Sequence, residues 1–312
     1  MVEYLGKRLF QGILLVIASS ILIFSLLYLM PGNPIDSIVG EQVSEERKAE
    51  YMVEYGLDKP VHIQYINWVK KALHGDFGIS LKTKQQVTVV LGTRIPITLK
   101  ICGIAMLVQL IVSVPIGLIM AYKKDSWFDK AIMGLTMIFN GMPSFWVAIL
   151  LMYVFGVKLK LLPVTGFSSW KNYILPITAM ALGGCASTIR LTRSEVLNVI
   201  HEKYIATAYA KGLSKRRIMV AHVLRNALIL ISVMSFLSLP WIIAGSVVVE
   251  NIFGFPGVGV LLTNSIINQD FPVVQAIILI IAVLTVIANL LADIITAILD
   301  PRIKVSMSSI DD

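Results

Sequence analysis

Charge is scarce in this sequence, and so are the residues that build metal sites and disulfides. Of 312 residues only 15% are charged and 56% are hydrophobic, where a soluble globular domain averages about 25% charged and about 45–50% apolar. That balance excludes a disordered chain, which needs high charge and little apolar surface, and it exceeds what one soluble core absorbs. The two cysteines, Cys102 and Cys185, both lie in apolar runs, which leaves no disulfide framework and no zinc spacing. The four histidines, His62, His74, His201 and His222, are scattered and share no motif. No GxxxxGK(S/T) loop is present, so the chain does not itself hydrolyse ATP, and GxSxG, HExxH and clustered His/Asp/Glu constellations are also missing. The sequence gives no support to an enzyme.

What the sequence has instead is long apolar runs, with a mean hydropathy of +0.79. A spanning helix needs roughly 20 mostly apolar residues, and six windows qualify: about 9–30, 98–122, 131–157, 174–192, 227–249 and 273–299. The first follows Lys7 and Arg8, as in a signal peptide, but its run of about 22 residues is too long for an h-region and no small-x-small cleavage pattern follows. It reads as a retained anchor.

The formal charge of +8 reports loop orientation rather than nucleic acid. With the N-terminus inside, the cytoplasmic segments 1–8, 123–130, 190–226 and 300–312 hold 2, 3, 8 and 2 Lys/Arg, while the external loops 158–173 and 250–272 hold 3 and none. No Lys or Arg occurs from Asn226 to Pro301, and segment 31–97 holds 8 basic and 8 acidic residues; long loops weigh little in this rule. The expectation is an all-α integral membrane protein with six transmembrane helices, N-in and C-in. Its parts are an anchor helix at 1–30, an external helical segment at 31–97, a five-helix core at 98–300 and a tail at 301–312. No internal repeat or low-complexity linker is visible.

The external segment reads as short helices. Ser44 followed by Glu45 and Glu46 is an N-cap with acids in the first turn, and Gly56 can close that helix. Asp58-Lys59-Pro60 opens a second helix, in which Val61, Tyr65, Ile66, Val69 and Leu73 recur at helical spacing before Gly75. Tyr65, Trp68 and Phe77 lie either at the headgroup level or under the fold of this cap. Two readings stand for the segment: a lid packed on the spans, or a docking surface for an external partner.

The cytoplasmic segment, about 193–226, is more informative. Ala206, Ala208 and Ala210 make a helix that another surface can approach closely, Gly212 can end it in a left-handed conformation, and Ser214 can cap a second helix from Lys215. From Lys203 through Arg225 there are six basic residues and no acidic one. The positive-inside bias accounts for the charge but not for the small-residue helix and glycine break, which favour a protruding docking element.

Within the spans, Asp293 is the one acid well inside an apolar run, about 9 Å of helix before Leu299, which places it near the inner headgroups. A structural role there, accepting hydrogen bonds from other helices, is favoured over substrate contact. Gln109, Asn140 and Asn289 are open between lining a pathway and bonding another helix. Pro115, Pro143 and Pro240 are expected to interrupt helices, and Gly183-Gly184 permits close helix approach.

The cytoplasmic segment resembles that of binding-protein-dependent ABC importer permeases, whose general pattern is Glu-Ala-Ala-x-x-x-Gly. With Gly212 as the glycine, Ala206-Thr207-Ala208 lacks the acid, a departure that resembles the dipeptide/oligopeptide/nickel branch with its TAxAKGLS and HxLRNAL runs. Here these are Thr207-Ala208-Tyr209-Ala210-Lys211-Gly212-Leu213-Ser214 and His222-Val223-Leu224-Arg225-Asn226-Ala227-Leu228. Gly56-Leu57-Asp58-Lys59-Pro60 with Gln64-Tyr65, and Gly75-Asp76-Phe77-Gly78 with Ser80, are similar to the branch's external segment. Glu250-Asn251-Ile252-Phe253, Phe255-Pro256-Gly257-Val258-Gly259 and Asp270-Phe271-Pro272-Val273-Val274-Gln275 are similar to its last external loop. Asn289-Leu290 with Asp293, then Leu299-Asp300-Pro301-Arg302, are similar to its C-terminal run.

The resemblance implies a type I ABC importer permease fold in a bacterial or archaeal cytoplasmic membrane. It also implies partners: a second, similar permease subunit, two ABC ATPase subunits and an extracytoplasmic substrate-binding protein, with no nucleic acid. This chain would carry no cofactor, ATP and Mg being held by the ATPases. The coupling helix, roughly Tyr204 to Gly212 with Leu213 and Ser214 beyond it, would sit in an ATPase groove. Closure of the ATPase dimer would then turn an inward-open pathway outward. Binding-protein docking would fall on Asp58, Gln64, Tyr65, Trp68, Asp76 and Phe77, and on Phe255, Pro256 and Gly257. The implied substrates are peptides, or nickel and other metal chelates. A self-contained channel or secondary transporter is the alternative; it predicts paired intramembrane charges or an inverted repeat, and the sequence displays neither. A scaffold subunit that transports nothing is a further one.

Overall fold

The computed structural model describes residues 2–29, 45–54 and 58–299. Ser44, Gly56, Leu57, the Asp300-Pro301-Arg302 run and the 301–312 tail lie outside the described residues. Twelve helices follow one another among those described: α1 Val2–Leu29, α2 Glu45–Glu54, α3 Val61–Leu73, α4 Val87–Tyr122, α5 Trp127–Gly141, α6 Ser144–Leu151, α7 Trp170–Ile200, α8 Lys203–Ala210, α9 Lys215–Leu237, α10 Leu239–Phe253, α11 Val258–Ile267 and α12 Phe271–Leu299. π-helical turns prolong α6 over Met152–Lys158 and interrupt α9 over Ile218–Leu224. The described residues contain no strand, only an isolated bridge between Ile79 and Gln86.

Five helices, α1, α4, α7, α9 and α12, are long and apolar enough to cross a membrane. The expected span 131–157 is a broken one: α5 and α6 with its π turn meet at 103°. Pro143, the N-cap residue of α6, causes the break, because it has no N–H to continue the ladder and disfavours helical geometry in the residue before it. The expected span 227–249 straddles two helices, dividing at Ser238, with Pro240 in the first turn of α10. α10 and α11 form a second bent pair at 77°. Pro115 departs from expectation, lying inside the unbroken α4; Pro176 likewise lies inside α7. α4 also starts well before the expected residue 98; at 36 residues it is about 54 Å long, beyond the roughly 30 Å hydrocarbon core.

The chain divides into two compact units, each drawn from stretches far apart in sequence. One comprises 1–8, 99–255 and 287–312; the other comprises 9–98 and 256–286. Helices α1, α4 and α12 each contribute to both.

In the second unit α3 is tied to α1. The Tyr65 hydroxyl lies 2.7 Å from Ser20 Oγ of α1, and the Phe24 ring meets Tyr65 at 5.5 Å and Trp68 at 6.1 Å. Val87, Leu91, Val258, Val273, Ala276 and Ile277 form its core. Above that core the buried Asp270 carboxylate accepts from Ser80 Oγ (2.5 Å) and from the Leu81 N–H (2.9 Å). Val258 N donates to Thr98 Oγ1 (2.8 Å), and Arg94 donates to the Pro256 carbonyl (3.0 Å). The Asp270 bonds hold the turn before α4 to the corner between α11 and α12, and the other two hold α4 itself to the start of α11.

In the first unit, Ala121, Val196, Val199, Ile205, Ala208, Ile218, Met219, Val223, Ala227 and Ile231 make a hydrophobic core. Close helix approach is set by Gly117: a Cβ there would come within 2.6 Å of Thr192 Cβ and 2.8 Å of the Ile189 carbonyl. Arg8 and Asp293 form an ion pair at 3.4 Å.

Replacing Asp270 by Ala orphans two buried donors, at a cost of about 1–3 kcal/mol each. Hydrogen exchange at Leu81 and the neighbouring turn is expected to accelerate by more than tenfold in Asp270→Ala and by less in Asp270→Asn, which keeps an acceptor.

Candidate functional site

Two features of the first unit stand out: a protruding knob and a cavity. The knob is α8. A two-residue corner, with Glu202 extended, joins it to α7, and its turn bonds run His201 N to Asn198 O, Glu202 N to Val199 O and Ile205 N to Glu202 O. Two side chains seat it: Ile205 is wholly buried and Ala208 is 7% exposed, both packed with Val196 and Val199 of α7 and with α9. The remaining predicted residues, Tyr204, Ala206, Thr207, Ala210, Lys211, Gly212 and Ser214, are exposed, with Leu213 half-buried. Gly212 takes φ +75°, and the turn closes through Gly212 N to Tyr209 O (2.9 Å) and Leu213 N to Ala208 O (3.3 Å). Ser214 occupies the N-cap position before Lys215, but its side chain makes no cap bond. The Tyr204 hydroxyl accepts from Asn226 Nδ2 at 2.9 Å. Partial burial, then the nearby Glu202 charge, push its pKa up against that bond, so the phenol stays neutral.

The cavity has a volume of about 500 Å³ and is walled by α4, α6, α7, α9 and α10. Its polar groups are Gln109, Ser144, Ser187, Thr188, Ser235 and Ser238, its apolar ones include Met180, Leu191, Met234 and Trp241, and no charged residue lines it among those described. Gln109 Nε2 donates to Thr188 Oγ1 at 2.7 Å, so this residue both bonds another helix and lines the cavity. Gly184 makes room for it, since a Cβ there would overlap the Gln109 amide. The hydroxyls of Ser187, Ser235 and Ser238 donate to carbonyls of their own helices (2.9, 2.6 and 2.7 Å). They therefore leave oxygen lone pairs, not protons, for anything in the cavity. Asn140 is exposed in the last turn of α5, Asn289 is half-buried in α12, and neither lines the cavity; Asp293 pairs with Arg8.

A third feature escaped the sequence reading. Asp129, 3% exposed in the first turn of α5, accepts two bonds from Arg193 of α7, both 2.7 Å, and a third from the Asp125 N–H at 3.0 Å. Nearly two turns after Asp129 along α5, Thr136 offers its carbonyl to Arg190, which lies about one turn before Arg193 on α7, at 3.1 Å. Two signals were available. Ser126 three residues before Asp129 is an N-cap pattern, and the Ser126 hydroxyl does accept from Asp129 N at 3.3 Å. Arg193 lies one residue past the expected end of the fourth span, inside the same helix.

Of the residues expected to form an external docking surface, Asp58 and Asp76 are exposed, the latter accepting from Gly78 N at 2.9 Å. Tyr65, Trp68, Phe77 and Pro256 are half-buried, and Gln64, Phe255 and Gly257 are buried. Gln64 donates to the Lys59 carbonyl at 2.8 Å, and Phe255 packs edge-on against Tyr173 at 4.9 Å. Tyr65 and Trp68 lie against Ser20 and Phe24 of α1.

Comparison with known proteins adds family. Residues 113–305 match the family described as binding-protein-dependent transport system inner membrane component, and residues 1–102 match that described as binding-protein-dependent transport system membrane component, N-terminal. The chain is 37% identical over 306 residues to a Brucella abortus (strain 2308) protein named as a peptide transport system permease, covering 96% of this chain and 98% of that one. It is 35% identical over 315 residues to the oligopeptide transport system permease protein AppB of Bacillus subtilis, covering 97% and 100%. It is 34% identical over 308 residues to the glutathione transport system permease protein GsiC of Salmonella typhimurium, covering 97% and 99%.

Gly184→Ala forces the Gln109 amide off Thr188 and is expected to destabilise the purified chain by about 1–3 kcal/mol, the usual cost of overpacking. Because the clash needs both partners, Gly184→Ala combined with Gln109→Ala should lose less than the sum of the two single changes. A denaturation midpoint series on the three variants checks this.

Proposed function

The chain belongs to the family of binding-protein-dependent transport system inner membrane components, the multi-pass permease subunits of ABC importers, and on that premise we propose how its parts divide the work. Helix α8 is the coupling helix, received by a cytoplasmic ATPase subunit. The cavity of the first unit is this chain's share of the translocation pathway, completed by a second permease subunit. The exposed parts of the external segment, Asp58 and Asp76 among them, meet an extracytoplasmic binding protein. ATP and Mg belong to the ATPase subunits.

One observation carries the coupling assignment. α8 is anchored on one side by Ile205 and Ala208 and bare on the other, where Ala206, Thr207, Ala210 and Lys211 face outward. Small side chains let a partner's surface approach the backbone, and the buried pair transfers load into α7. A cytoplasmic position for α8 agrees with the basic bias around it. An N-in, C-in path then needs an even number of crossings. The five long helices with the α5–α6 pair make six, and the α10–α11 pair folds back without crossing.

Peptides are the proposed substrate class, nickel or another metal chelate being the second. The relatives named for peptide, oligopeptide and glutathione transport favour the first. So does the lining: uncharged acceptors beside Met, Leu and Trp suit peptide amides and mixed side chains without holding any charge type tightly.

The test is the glycine turn. Gly212 has open space where a Cβ would stand, so a substitution there meets only the left-handed backbone, a penalty of about 1–2 kcal/mol for an ordinary L-residue. In the importer reconstituted with its partner subunits, Gly212→Val should insert normally yet hydrolyse ATP with little substrate uptake. Gly212→Asn, which tolerates that conformation, should keep most of the coupling. Normal coupling in Gly212→Val would count against α8 as the coupling helix.

A further inference from the structure

The Asp129–Arg193 pair lies where nothing in the coupling assignment requires a charge. α7 is joined to α8 by a two-residue corner, His201-Glu202, braced by Glu202 N on the Val199 carbonyl (3.1 Å) and by Ile205 packed on Val196 and Val199, and Arg193 sits about two turns before the end of α7. Its guanidinium grips Asp129 through two parallel bonds of 2.7 Å. Further along the same two helices, Arg190 holds the Thr136 carbonyl at 3.1 Å. α5 is therefore fastened to α7 at two levels along its length by directional, charge-assisted bonds. α5 ends at Gly141, and beyond the break at Met142-Pro143 the first residue of α6, Ser144, lines the cavity.

A buried ion pair is a poor way to gain stability, because desolvation offsets its attraction and apolar residues of the same size hold helices as well. What two parallel bonds supply that apolar packing does not is register. Apolar surfaces slide by a fraction of a turn at little cost; a bidentate fork does not. We infer that Asp129 and Arg193 are positioning residues for transport. They lock α5 to α7 so that a displacement of the knob reaches the Pro143 break and Ser144 at the cavity as one rigid movement. This rests on the coupling assignment of α8 and adds to it the route by which load leaves α7. Arg190 is the auxiliary contact, and Ser126 and the Asp125 N–H hold the carboxylate end in place.

The experiment uses the whole importer in proteoliposomes with its ATPase, second permease and binding-protein subunits, and a short peptide as transported probe. Removing one charge alone strands the other, so the variant is the neutral double change Asp129→Asn with Arg193→Met. Spin labels at the exposed Ile138 near the end of α5 and Asn198 near the end of α7 report the register of the two helices. In the otherwise unaltered chain their separation is expected to stay the same between the nucleotide-free state and the state trapped with ATP and vanadate. In the double variant it should shift by about 2 Å, the scale of helix sliding, and the ATP hydrolysed per peptide imported should rise by about fivefold or more. An unchanged ratio overturns the inference, and so does a raised ratio with no shift in separation, since that assigns the pair to stability alone. Should Gly212→Val couple normally, the assignment of α8 fails; should Gly212→Val uncouple while the double variant does not, only the Asp129–Arg193 link fails.

Discussion

Hydrocarbon offers no hydrogen bonds, and that constraint shapes nearly every feature of this chain. A backbone placed in lipid must satisfy its own N–H and C=O groups, which is why the described residues are helical almost throughout and why irregular backbone gathers at a few breaks. The same rule governs side chains. Ser187, Ser235, Ser238 and Ser246 turn their hydroxyls back onto carbonyls of their own helices. Gln109 reaches across to Thr188, and Gly184 exists as glycine where that amide needs space. The cavity's polarity is what these bonds leave over: serine lone pairs, the second N–H of Gln109 and the hydroxyls of Ser144 and Thr188.

Against this background the few charged contacts inside the helical body carry information. Arg8 with Asp293 and Arg193 with Asp129 each join helices that apolar contact could hold together by itself. The second pair is the tighter and the more buried, and it stands between the knob and the broken helix. The knob has little machinery of its own: two buried side chains, a left-handed glycine and a bare face. Its firm seat is α7, a helix of 31 residues to which Ile205 and Ala208 pack across a two-residue corner.

Much of this was legible in sequence because the signals are strong and local. Apolar windows of spanning length located the long helices, and the run from Ala206 to Gly212 located the knob and its turn. Breaks were less legible. Pro143 broke a span while Pro115 and Pro176 did not, because a proline inside a membrane helix is decided by what its neighbours offer the freed carbonyl, which no window reports. The cavity, built from α4, α6, α7, α9 and α10, was out of reach because its residues are far apart in the chain. Gln109 was visible as a polar residue in a span, but its partner Thr188 was not. Asp129 was missed because it lies beside Lys123, Lys124 and Lys130 and reads as one more charge in a solvated loop, until Arg193 from a helix sixty-four positions away closes on it.

The way the chain is divided bears on its biosynthesis. The unit that contains the external segment is assembled from residues 9–98 and 256–286, so its core of Val87 and Leu91 waits for Val258, Val273 and Ile277. A ribosome delivers the N-terminal part long before the C-terminal part, and domains generally fold in the order in which they emerge. Here that order is broken: α1 has Tyr65 and Trp68 to pack on early, but Val87 and Leu91 go without their core partners through the translation of about 150 further residues, the whole of the intervening helical unit. Truncation shortly after α10 would therefore leave an early product with no late partner, a natural substrate for membrane quality-control proteases.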